Sequence, residues 1–141
     1  MYTEKIKTQD AAISHLFFHC CFKDGRFTEK EIDTVSELLV KAGFHGKLNF
    51  KDEIIKYRSY DTTITDDASY VRYLVQLIQP ANELALYSYC IELCLGDAEL
   101  SLEEENLLNV IAAELSIPAQ EQSVIKKLAA ERKVVETQQL F

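Results

Sequence analysis

The chain has 141 residues, 48% of them hydrophobic, which suits one domain with a real core and is too short for several. Its net charge of −8 repels phosphate backbones, which argues against nucleic acid as a partner and favours cations or a basic protein surface. No apolar run approaches the roughly 20 residues of a membrane span. The opening Met1-Tyr2-Thr3-Glu4-Lys5 lacks a secretion-signal pattern, so a cytoplasmic protein without membrane insertion is expected.

Ala11, Ile13, Leu16, Phe17, Phe18, Cys20, Cys21 and Phe22 predict a strongly apolar first helix, with Asp10 as its cap. Asp24-Gly25 breaks it. Thr28 opens a second helix with Ile32, Val35, Leu38, Leu39 and Ala42 on one face. Gly43 and Gly46 stop that helix by offering positive φ. Asn49 opens a third through Ile54, Ile55 and Tyr57, and Tyr60 to Thr65 reads as a loop. A fourth helix runs from about Asp66 to Gln79, with Tyr70, Val71, Leu74, Leu77 and Ile78 inward. Pro80 separates it from a fifth, which carries Leu84, Leu86, Tyr87, Cys90, Ile91, Cys94 and Leu95 and stops at Gly96-Asp97. Ser101 begins a sixth, with Leu107, Leu108, Ile111, Ala112 and Leu115 inward. A seventh follows Ser116-Ile117-Pro118 towards Lys133, and Val134 to Phe141 reads as a frayed tail. The class is all-α: a single compact bundle of about seven helices, one domain over 1–141.

The charge is unevenly spread. Between Tyr73 and Ile125 there is no Lys or Arg, while Glu83, Glu92, Asp97, Glu99, Glu103, Glu104, Glu105, Glu114 and Glu121 all fall there. A solvated acidic face explains this as well as a binding surface does. Cys20, Cys21, Cys90 and Cys94 sit inside apolar helical patterns, which predicts buried free thiols.

Shifting the chain by 73 residues lays Asp24 on Asp97, Phe27 on Leu100, Thr28 on Ser101 and Glu31 on Glu104. Ala12 then falls on Ala85, Cys21 on Cys94, Val35 on Leu108 and Leu38 on Ile111. Two related halves follow, about 10–44 and 83–117, joined by a pseudo-twofold. Each half is two helices around one acidic turn. Thr28-x-x-Glu31 and Ser101-x-x-Glu104 both read as capping boxes, with Phe27 and Leu100 as hydrophobic staples. The boxes explain the hydroxyls and the Glu residues without a ligand. Asp24 and Asp97 are less well explained, and Asp with Glu seven residues on can offer hard oxygen ligands to a cation. An EF-hand is excluded, because its first and third positions would be Cys20 and Phe22, or Leu93 and Leu95.

A helix ending in Asp-Gly, then an apolar residue, Ser or Thr, and Glu three later, given twice, resembles the TerB-like tellurite-resistance family. The N-terminal domain of some membrane-anchored J-domain co-chaperones is related to it. The resemblance spans about residues 10–128. It implies a seven-helix domain whose acidic positions bind a metal, in tellurite or chemical stress and membrane-linked complexes. Carried over, those positions are Asp24, Glu31, Asp97 and Glu104. The second copy departs from the pattern with Ala98 where Gly is usual, and Ala resists positive φ. The segment 47–79 carries no recognisable motif.

His15 and His19, one helical turn apart, can present two imidazoles to zinc, with Glu31 or Glu92 as base of a zinc-dependent hydrolase. Leu16 stands where a protease helix has its Glu, and no third ligand is evident; packed histidines are the commoner outcome. No phosphate loop, nucleophile motif or dinucleotide fingerprint occurs. Tyr57, Tyr60, Tyr70, Tyr73, Tyr87 and Tyr89 offer a partner surface or, at helical spacing, a core rim. The expected function is a non-enzymatic acidic module that binds a divalent cation (calcium, magnesium or similar), a protein partner, or both. The alternatives are the zinc hydrolase and a purely structural interaction domain, dimeric through an apolar helix face.

Overall fold

The computed structural model describes residues 1–23, 29–41, 43, 49–95 and 100–137, of which 29–31, 34, 38 and 133–137 are described by backbone alone. Eight α-helices lie among the described residues: α1 (Tyr2–Lys5), α2 (Gln9–Phe22), α3 (Glu29–Lys41), α4 (Phe50–Tyr60), α5 (Asp67–Ile78), α6 (Glu83–Cys94), α7 (Leu102–Glu114) and α8 (Ala119–Thr137). A 3₁₀ turn, Asp61–Thr63, continues α4, and no strand occurs among these residues.

The helix starts follow the side chains that can accept a backbone N–H. Asn49, Asp66, Asn82 and Ser101 each cap the helix that follows them. The first helix is capped by Thr8 rather than Asp10. Thr8 is extended and its Oγ1 accepts from the Ala11 N–H at 3.2 Å, while Asp10 sits in the first turn, where its acid suits the positive helix end. Gly43 takes φ +86°, as a helix stop requires, and Gln79 ends α5 at φ +44°.

α2 is the axis of the fold and packs against α3, α4, α5 and α6. All eleven residues from Ala11 to Cys21 are buried, so this helix has no wet face. α5 packs on α7, α7 on α6, and α8 on α6. Leu74, Ile91, Leu107, Leu108 and Ile111 fill the space between them. The four cysteines are free and buried, and the Cys94 thiol lies 3.8 Å from the Cys20 carbonyl where α6 crosses α2.

One expectation is corrected and two features are new. Leu84 is 40% exposed in the first turn of α6, because Leu86 and Tyr87 take the inward face there. α8 continues to Thr137, since nothing in Lys133–Thr137 breaks a helix, and 138–141 lie outside the described residues. The short α1 was not legible; the Tyr2 ring holds it, 4.9 Å from Tyr70 edge-on and 5.5 Å from Tyr73. No helix among the described residues is long and apolar enough to cross a membrane.

Candidate functional site

The second acidic turn forms its capping box. The Ser101 Oγ accepts from the Glu104 N–H at 3.1 Å, and Glu104 Oε1 accepts from the Ser101 N–H at 3.0 Å. Glu104 is thereby buried, with only 4% exposure, and Leu100 packs against the core as the staple. Asp24, Thr28 and Asp97 lie outside the described residues, as does Ala98; Glu31 lies on α3, described by backbone alone.

What flanks the turns does meet. A cleft of about 300 Å³ opens between the end of α2 (His19, Phe22, Lys23), the end of α4 and its 3₁₀ turn (Tyr57, Asp61, Thr62) and the first turn of α7 (Glu103). Lys23 directly precedes the first acidic turn, and Glu103 is the second residue after the cap of the second. Phe22 and Tyr57 stand 5.1 Å apart in one wall, and the Arg58 guanidinium lies 5.2 Å from the Phe22 ring centre.

Beneath the cleft runs a buried polar network built from one-turn spacings. His15 Nδ1 is 2.6 Å from the Tyr60 hydroxyl and its Nε2 is 3.0 Å from Glu53 Oε1. One turn on, His19 Nδ1 is 2.8 Å from the Tyr57 hydroxyl and its Nε2 is 2.9 Å from Asp67 Oδ1. Lys56 caps Glu53 at 3.2 Å, and Lys23 caps Asp67 at 2.6 Å. Burial pushes the pKa of both histidines below the ordinary value, so both are neutral. Burial pushes the Tyr57, Tyr60 and Tyr70 hydroxyls up, so they stay protonated.

These states fix the direction of each bond. A neutral imidazole facing a carboxylate must donate from Nε2, so Nδ1 accepts from tyrosine. Tyr70 then donates to Tyr60 across 2.6 Å, Tyr60 to His15, and His15 to Glu53. In the second chain, Tyr57 donates to His19 and His19 to Asp67. The His19 N–H and the Lys23 ammonium hold the Asp67 carboxyl down at about 2.

Each imidazole thus spends both nitrogens on protein partners, and a zinc ion at His15 and His19 would displace a buried bond from each. Among the described residues no group of three His, Cys, Asp or Glu converges to hold a metal. Sequence reasoning found the histidine pair but missed Glu53 and Asp67. A signal existed: Glu53, Tyr57 and Tyr60 repeat on α4 at the same one-turn rhythm as His15 and His19 on α2. Of the six tyrosines that could offer a partner surface, four are core residues; Tyr57, Tyr60, Tyr70 and Tyr87 are at most 2% exposed.

No curated protein and no solved structure matches the chain. The model of the family described as tellurite resistance protein TerB matches residues 9–127, from the first turn of α2 well into α8. The duplicated acidic motif, the all-helical bundle and that match over most of the chain agree: this protein belongs to the TerB tellurite-resistance family.

Proposed function

We propose that this chain is a non-enzymatic helical module of the TerB type that binds a divalent cation, calcium or magnesium in kind, and docks a protein partner. The cation ligands are Asp24, Glu31, Asp97 and Glu104, and the setting is a cytoplasmic, tellurite-resistance-like stress response. The single observation that supports this best is the repeated acidic turn in a chain of this family, with the second turn folded as a capping box beside the cleft. A carboxylate bound to a cap N–H keeps lone pairs for further ligands, so capping and cation binding are compatible roles. The absence of a free imidazole nitrogen on His15 or His19 favours binding over zinc hydrolysis.

Isothermal titration with calcium, magnesium, manganese and zinc tests the cation. The expected result is a dissociation constant below about 1 mM, equivalent to roughly −4 kcal/mol, for at least one ion. Asp24→Asn combined with Asp97→Asn should weaken it about tenfold or more. Binding no tighter than millimolar for all four ions, or an unchanged constant in the double variant, overturns the cation reading.

A further inference from the structure

We infer that Cys20 on α2 and the cysteines of α6 form a redox-sensitive tether: under oxidising conditions Cys20 closes one disulfide to Cys94 or Cys90 and locks the two helices together. The inference rests on the packing of α2 against α6 and stands whether or not the acidic turns bind a cation.

Three observations lead there. First, the thiols meet. α2 and α6 pack against each other, and the Cys94 sulfur lies 3.8 Å from the Cys20 carbonyl oxygen where they cross. The Cys20 thiol hydrogen-bonds both Cys90 and Cys94, which stand one turn apart on α6. A thiol–thiol contact becomes a disulfide through side-chain rotation and a slight approach of the two backbones.

Second, the thiols are held in reserve. Cys20 and Cys90 are 0% exposed and Cys94 is 2% exposed. The hydrogen bond to Cys90, together with burial, pushes the Cys20 thiol well above its ordinary range. Such a thiol is unreactive while α6 is seated. Reaction therefore waits for α6 to open, and the bond records that opening.

Third, α6 has a reason to open. Tyr87 precedes Cys90 and Cys94 by about one and two turns on the same face, and its buried hydroxyl has no hydrogen-bond partner among the described residues. Opening gives that hydroxyl to water, which lowers the cost of exposing the thiols beside it. Cys94 is also the last residue of α6, where a helix frays first.

The oxidant is a small-molecule disulfide. An α6 thiolate attacks one of its sulfurs and expels a thiolate. The Cys20 thiolate then attacks the protein sulfur of that mixed disulfide and expels a second one. The oxidant's S–S bond breaks and one bond from Cys20 to α6 forms. Both protein thiols lose their protons, and the two electrons leave on two molecules of released thiol.

The experiment incubates the full chain with glutathione disulfide in the absence of denaturant, quenches by alkylation and maps the bonds by peptide mass spectrometry. The expected product is a monomer with one disulfide, from Cys20 to Cys94 or Cys90, and two free thiols. Cys20 and Cys94 are 74 positions apart, so the closed loop is long, and the melting temperature should rise by about 5 °C or more. Dithiothreitol should reverse the shift. The bridge should form at least about tenfold faster than the chain unfolds globally, as opening of α6 alone requires. Cys21→Ala should leave the bridge in place and Cys20→Ala should abolish it. A Cys20–Cys21 bond, a disulfide-linked dimer or glutathione adducts alone overturn the inference. So do a bridge that survives Cys20→Ala, an unraised melting temperature, and oxidation that is absent or no faster than global unfolding.

Discussion

Asp67 gives the sharpest test of the buried network, through Asp67→Asn. The amide keeps an oxygen to accept from the His19 Nε2–H but loses the charge, and it turns an NH₂ towards Lys23. The wild-type carboxyl drops from its ordinary 3.8 to about 2 on folding. At roughly 1.4 kcal/mol per tenfold change, that is at most about 2 kcal/mol of stability. Its side chain is 24% exposed, and water screens part of the effect, which leaves about 1–2 kcal/mol. For a chain of this size the melting temperature should fall by roughly 3–8 °C. Because folding depresses this pKa, the contribution is fully present above pH 3.8 and disappears as pH falls towards 2. Urea titration of both proteins at pH 7 and at steps down to pH 3 measures this. The gap should be widest near neutrality and shrink by about half at pH 3. A difference within about 0.5 kcal/mol at pH 7, or one that does not narrow in acid, would refute the network as drawn. Lys23→Met in a double-mutant cycle isolates the ammonium's share.

Two further substitutions probe single polar atoms. The Tyr87 hydroxyl is buried with no hydrogen-bond partner among the described residues, and burial raises its pKa to about 12. Tyr87→Phe should therefore raise stability by about 1 kcal/mol in urea, whereas Tyr60→Phe, which strands His15 and Tyr70, should lower it by about 1–3 kcal/mol; equal effects would contradict the bond assignments. Ser101→Ala should cost about 1 kcal/mol through loss of the α7 cap, again read by urea, and a neutral result would mean the box contributes nothing.

Local chemistry was the legible part of this chain. Asn49, Asp66 and Ser101 announce their helices because a cap needs only residues two or three apart. The apolar run in α2 declares burial, and the second acidic turn folds as its Ser-x-x-Glu pattern dictates. The exposure of Leu84 was not legible, because helical spacing does not say where on the inward arc a neighbour stops. Glu53 and Asp67 escaped for a different reason. Their partners are 38 and 48 residues away, and an acid beside an apolar face reads as surface until a buried imidazole is brought to it. Part of the candidate site was legible only as a motif, since Asp24 and Asp97 lie outside the described residues.

The central position of α2 has one more consequence. A helix buried on every side carries no amphipathic instruction about its rotation, because apolar contact is non-directional and rewards many settings nearly alike. Hydrogen bonds do not. His15 and His19, set one turn apart and each held at both nitrogens, find their four partners at only one rotation and one height of the helix. The two imidazoles therefore act as a key, and the bearing they set is the direction in which α2 delivers Lys23 to the mouth of the cleft.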